Sequence, residues 1–211
     1  MQWQLLPAAV MMTVLIWLGA LAVSILLSIP LTLLRRSRFG FARAVGAIWA
    51  TLARGIPPIV WLILLYFGVA SGLLKDVPAV SAIVGLGLVN SAYVSDSIRA
   101  GLDSVPTGQW EGIRATGLPR AVGLVRVILP QAFPIMLAST AAYSITLLKN
   151  TALASIIGAN ELIFFISNSV QQGADPLPAF LLAGVIYMVF TVPVGFFARW
   201  IEGRSVIAMV R

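Results

Sequence analysis

The sequence predicts an all-α integral membrane protein with five transmembrane helices, the N-terminus outside and the C-terminus cytoplasmic. Three observations carry that expectation. The 211 residues are 60% hydrophobic and only 10% charged, against about 45–50% and about 25% in a soluble domain, so polar groups cannot cover such a fold in water. The apolar stretches are long and continuous, as spanning helices require, whereas barrel strands alternate over about 10 residues. The basic residues gather beside alternate ends of those stretches, which sets the orientation.

Residues 1–34 carry no charge and form the first span, with Pro7 at its outer end. The run has no basic lead-in and exceeds the apolar core of a signal peptide, so it is expected to be a retained helix. Arg35, Arg36, Arg38 and Arg43 follow it. The apolar stretch from about Val45 is interrupted by Arg54-Gly55-Ile56-Pro57-Pro58. Proline removes a backbone donor and breaks or kinks a helix. A short interfacial helix at about 43–54 and a second span at about 57–72 are therefore expected, with Arg54 snorkelling to headgroups. A third charge-free stretch covers 77–95.

The fourth span starts near 127, but 127–170 is too long for one helix and contains Lys149, Asn150, Thr151 and Glu161. A bent or broken span is expected there, its polar groups facing protein or a cavity rather than lipid. An outer loop at about 168–178 leads to the last span at 176–198. Arg99, Arg114, Arg120 and Arg126 follow span three, and Arg199, Arg204 and Arg211 follow span five. With the four arginines after span one, all of these fall on one side if five helices alternate; the opposite loops hold only Lys75, beside Asp76. Trp3 outside and Trp200 inside are expected interface anchors. No internal repeat or low-complexity segment divides the chain, so residues 1–211 are expected to form one domain.

The missing residues narrow the chemistry. There is no Cys and no His, which excludes thiol nucleophiles, His-based acid–base catalysis and the usual zinc sites. The two lysines, Lys75 and Lys149, lie in no Gly-rich GK[ST] loop, so ATP is not bound through a P-loop. The net charge of +7 suits orientation in the bilayer and contact with anionic lipid rather than nucleic acid. Asp96, Lys149 and Glu161 are scattered, and no convergent catalytic group stands out. A standalone ion-coupled carrier using Asp96 or Glu161 is the alternative, but such carriers show internal repeats and more spans.

The segment between spans three and four, about 102–130, is the most informative. It reads as two short helices: Pro106 or Thr107 starts the first, Gly117 ends it in a left-handed conformation, and Pro119 suits the first turn of the second. Pro130 ends that second helix or opens the next span.

This segment resembles the EAA loop of ABC-transporter permeases, whose pattern is E-A-A, three residues, Gly, nine residues, then I-x-L-P. Glu111, Gly117, Val127, Leu129 and Pro130 match in spacing; Gly112 and Ile113 replace the two alanines and Val127 the isoleucine. Arg54-Gly55-Ile56-Pro57 resembles the R-G-[TI]-P segment of the polar amino-acid branch, which serves histidine, glutamate, glutamine, arginine and opines. Ala92-Tyr93, Ile98-Arg99-Ala100-Gly101 and Val105-Pro106-Thr107-Gly108-Gln109 resemble the lead-in to that branch's loop. Leu147-Leu148-Lys149-Asn150-Thr151-Ala152-Leu153-Ala154-Ser155-Ile156-Ile157-Gly158 resembles its L-L-K-[DN]-[ST]-[SA]-L-A-S-V-I-G segment.

The resemblance implies a type I ABC importer permease (MetI-like) fold in the bacterial cytoplasmic (inner) membrane. It implies no cofactor bound by this chain, ATP-Mg on a partner ATPase dimer, a second permease subunit (identical or paralogous) and an extracytoplasmic solute-binding protein. The loop would be the coupling helix, with Glu111, Gly112, Arg114, Ala115 and Gly117 at the ATPase contact. Glu111 would be a charge-assisted partner, or alternatively a carboxylate favoured by the helix dipole. The implied solute is a polar amino acid, with opine, cystine or ectoine-like compounds as alternatives. An amino acid in the membrane needs polar partners for its charges. The candidates are Asn90, Tyr93, Asp96, Lys149, Asn150, Thr151 and Glu161; Lys149 would meet a substrate carboxylate, or pair Glu161 or Asp96. Asn150 stands where the branch often has Asp, one negative charge fewer, which disfavours a cationic solute.

Overall fold

The computed structural model describes residues 3–69 and 77–210; of the side chains of residues 69 and 204–210 nothing is said. Lys75, Asp76 and Arg211, used above for orientation, lie outside the described residues.

The elements in chain order are a 3-10 turn (Trp3–Leu5), α1 (Leu6–Arg35), α2 (Gly40–Gly55), α3 (Pro58–Ile63) with a π-helical turn (Leu64–Val69), α4 (Pro78–Asp103), α5 (Thr107–Ala115), α6 (Arg120–Gly123), a π-helical turn (Leu124–Ile128), α7 (Leu129–Asn150), a 3-10 turn (Thr151–Ile157), α8 (Leu162–Gln171) and α9 (Pro176–Val210). Among the described residues, four helical stretches are long and apolar enough to cross a membrane; α2 and α3, bent by 106° at Ile56 and Pro57, make a fifth if they count as one broken span. The sequence places the bend correctly, because Pro57 and Pro58 deny two backbone donors there.

Helix α1 lies along α4 at the centre, with α7 beside α4 and α9 beside α7. Ile16, Trp17 and Ala20 of α1 are buried with Leu86 of α4 and Leu147 and Leu148 of α7. Lipid offers no hydrophobic drive for helices to associate, so close approach and interhelical hydrogen bonds must do it. Gly87 supplies the approach: a Cβ there would lie 2.6 Å from Val23 Cγ1. Hydrogen bonds supply the rest. Trp17 Nε1 donates to the Ser144 carbonyl at 2.8 Å, Asn90 Nδ2 to Ser24 Oγ at 3.2 Å, and Ser97 and Ser139 share one at 2.9 Å.

The expected break in 127–170 falls at Gly158, whose φ of 83° is left-handed. Glu161, fully buried, then caps α8: its carboxylate accepts from the Ile163 N–H at 2.9 Å and the Phe164 N–H at 2.7 Å. The Leu162 N–H donates to Thr13 Oγ1 at 2.9 Å. The first donors of α8 are thus satisfied within the protein, the condition for an interrupted helix at membrane depth.

Two expectations are corrected. The second loop helix is not separate: α6 runs through the π-helical turn into α7, giving one stretch from Arg120 to Ile157, and Pro119 precedes that stretch as its cap rather than standing inside it. Arg54, expected to reach for headgroups, has a partner within the protein that the expectation left out. Its Nη1 lies 2.5 Å from Asp96 Oδ2.

Candidate functional site

Two places each gather several of the residues singled out in the sequence: the α5 loop and a cavity between α3, α4 and α7.

Helix α5 is held by one face. Trp110 and Ile113 pack on Val105, Ile128 and Ala132. Gly123 lets α6 come close, since a Cβ there would lie 2.5 Å from Ile113 Cγ2. The other face is open: Glu111, Gly112, Arg114 and Ala115 are all exposed, and no residue of α5 is buried. Gly117 ends the element at φ 67°, in open space. Its requirement is therefore conformational, not steric. Gly112 also faces open space but has an ordinary helical conformation, so its glycine is not required locally. Glu111 is the fifth residue of α5 and lies beyond the first turn, where the helix dipole has little hold on a carboxylate. It forms no hydrogen bond or ion pair among the described residues. Beside α5 runs a groove of about 600 Å³, lined by Arg36, Thr107, Trp110, Glu111, Ile113, Arg114, Arg120 and Leu124.

The loop is tied to the spans by charge. Arg36 Nη1 meets Asp103 Oδ1 at 2.6 Å, joining the ends of α1 and α4. Two turns back along α4, Asp96 is shared by Arg35 at 2.7 Å, Arg54 at 2.5 Å and Arg99 at 4.0 Å. Arg35, with its side chain 8% exposed, also donates to Ser95 Oγ at 3.1 Å. Asp96 thus holds α1, α2 and α4 together, and its charge is outnumbered three to one.

The cavity measures about 400 Å³ and is lined by Pro58, Leu86, Val89, Asn90, Tyr93, Tyr143, Thr146, Leu147 and Asn150. Spacing explains the lining: Leu86, Asn90 and Tyr93 share one face of α4, and Tyr143, Thr146, Leu147 and Asn150, at i, i+3, i+4 and i+7, share one face of α7. The Tyr93 and Tyr143 rings lie side by side, centroids 5.2 Å apart and tilted 45°.

Of the seven candidate pathway residues, the structure brings Asn90, Tyr93 and Asn150 together in this cavity. It does not bring the others. Asp96 sits in the arginine cluster, Thr151 is buried and donates to the Leu148 carbonyl at 2.7 Å, and Glu161 caps α8. The expected pairing of Lys149 with Glu161 or Asp96 is not formed. Both acids are engaged elsewhere, and Lys149 is exposed with no ion-pair partner among the described residues. Sequence reasoning missed Tyr143 and Thr146, although their spacing to Asn150 carried the signal. It also missed Arg35 and Arg54 as partners of Asp96, across 61 and 42 residues of chain that no local pattern connects.

Residues 24–206 match the family described as binding-protein-dependent transport system inner membrane component. The arginine ABC transporter permease protein ArtQ of Escherichia coli (strain K12) is 27% identical over 224 residues, covering 95% of this chain and 94% of the relative. The nopaline transport system permease protein NocM of Agrobacterium fabrum is 30% identical, covering 88% and 81%. Among solved structures, the crystal structure of an amino acid ABC transporter with histidines superposes with a TM-score of 0.86 at 26% identity, over 95% of this chain and 94% of that one. An inward-facing MetNI methionine ABC transporter shares the fold at a TM-score of 0.78 and 22% identity, over 95% and 97%.

Proposed function

The chain belongs to the family of binding-protein-dependent transport system inner membrane components, and from that premise we propose that it is the permease half of an ATP-driven importer of a polar amino acid. The observation that carries this is α5: a short ordered helix, anchored by Trp110 and Ile113, with Glu111 and Arg114 exposed and in no ion pair among the described residues. A helix built this way presents chemistry to a partner that this chain does not contain.

The proposed partners are an ATPase dimer carrying ATP-Mg, which receives one such loop from each permease half, a second permease subunit, identical or paralogous, and an extracytoplasmic solute-binding protein. Glu111, Gly112, Arg114, Ala115 and Gly117 make the ATPase contact. The rigid connection from α5 through Val105 to α4, and the Arg36–Asp103 and Asp96–arginine pairs, carry ATPase movement to the spans. The pathway runs by the α3, α4 and α7 cavity, with Asn90, Tyr93 and Asn150 as solute-facing groups. The arginine-rich end that holds α5 is cytoplasmic and α8 lies toward the outside. The relatives named for arginine and nopaline transport support a solute with an amino-acid head.

The test is co-purification from native membranes. An ATPase with a second, different permease supports an asymmetric transporter, and an ATPase alone a homodimer. No ATPase, under conditions that keep a control transporter intact, overturns the coupling role.

A further inference from the structure

The charges around the α3, α4 and α7 cavity identify which amino acids it takes. The lining contains no carboxylate and no ammonium. Its polar groups are two phenols, a threonine hydroxyl and two amides, on Tyr93, Tyr143, Thr146, Asn90 and Asn150. The Asn150 amide makes no hydrogen bond among the described residues. Among the described residues, the charge flanking the cavity is net positive. Lys149, next to Asn150 on α7, is exposed and has no ion-pair partner among the described residues. On α4, Asp96 lies one turn beyond Tyr93, and Arg54 lies four residues before the lining Pro58. That carboxylate is already held by Arg35, Arg54 and Arg99, so the cluster carries a net charge of +2. Arg99 Nε in this cluster is buried without a hydrogen-bond partner.

We infer that the cavity accepts amino acids whose side chain is neutral or anionic and rejects those whose side chain is a cation. This rests on the permease function proposed above and names its substrate class. An α-ammonium has the Tyr93 and Tyr143 rings of the lining to meet, and an α-carboxylate has the Asn150 amide, with the Lys149 cation on the adjoining residue of α7. A second cation, such as a guanidinium or a lysine ammonium, finds no carboxylate in the lining, and the nearby Asp96 is already held by arginines. It meets only Lys149 and the arginine cluster, in a medium where unpaired charge is costly. The arginine-transport relative is therefore a guide to the machinery of this chain and not to its solute.

The test uses the transporter purified with its own partner subunits, in nanodiscs and without the solute-binding protein, so that only the membrane part selects. Binding of labelled glutamine and glutamate is measured in competition with arginine and lysine. The expected result is that glutamine or glutamate binds at least tenfold more tightly than arginine. Asn150→Asp, which is isosteric, should narrow that ratio threefold or more. Lys149→Gln, at an exposed position, should move it the same way and provides the answer if Asn150→Asp does not assemble. Arginine binding as tightly as glutamine to the wild type overturns the inference and leaves the amino-acid function standing, as does a ratio unmoved in an assembled variant. A complex that hydrolyses ATP yet binds none of the four amino acids overturns the amino-acid function and the inference with it.

Discussion

Glu111, within α5, and Glu161, at the start of α8, are both glutamates of short helices between long spans, and the structure uses them in opposite ways. Glu161 is fully buried, and its carboxylate is occupied by two backbone N–H groups at the start of α8. Glu111 is exposed on α5, past the first turn, with no partner among the described residues. The chemistry of Glu161 goes into holding a broken span; that of Glu111 is unused among the described residues, as the proposed ATPase contact requires. Under the proposed function, a site residue is marked by what its side chain leaves unsatisfied, not by its being polar in an apolar sequence.

The largest expected effect is at the buried end of this comparison. Glu161→Ala strands two buried N–H donors and is expected to destabilise the protein by about 2–4 kcal/mol, measured as a lower melting temperature of the detergent-solubilised protein. Glu161→Gln, which keeps an acceptor, should lose less. If both melt like the wild type, α8 does not depend on its cap and the contrast with Glu111 collapses.

Asp96→Asn comes next. It leaves Arg35, Arg54 and Arg99 facing one another, a cost of about 1–3 kcal/mol, below that of breaking a fully buried pair because Asp96 keeps 25% of its side chain exposed. ATP hydrolysis and transport should also become partly uncoupled, since α1, α2 and α4 lose their shared anchor. A normal ratio of solute moved to ATP hydrolysed would show that the cluster only stabilises the fold.

Gly117 and Gly112, at the end of α5 and within it, sharpen the comparison with small effects of opposite sign. Gly117→Ala forces a side chain into a left-handed conformation and is expected to cost about 1–2 kcal/mol. Gly112→Ala meets nothing within 4 Å and should stabilise α5 by up to about 1 kcal/mol. Melting curves of the two variants check both signs.

Much of this was legible in the sequence. Charge-free runs located the spans, Pro57 and Pro58 located the bend, and Pro106 and Gly117 bounded α5, because backbone restrictions act locally. What was not legible depends on contacts between distant residues. Nothing near Arg54 reports that its partner is Asp96, and nothing near Glu161 reports that Thr13 and Tyr187 surround it. The cavity was half legible: Asn90, Tyr93 and Asn150 stood out as polar, whereas Tyr143 and Thr146 join them only through the packing of α7 on α4. The continuity of α6 into α7 was hidden by Pro130, which suggested a boundary but sits in the first turn of α7 inside a longer helical stretch.

The central claim is that the open face of α5 exists for an ATPase. Glu111→Lys reverses the charge of an exposed, unpaired side chain and should leave the melting temperature unchanged. The decisive measurement is the amount of ATPase that co-purifies with this variant from native membranes. The account predicts at least a tenfold loss of ATPase with the permease still folded and membrane-embedded; wild-type recovery of ATPase would contradict it.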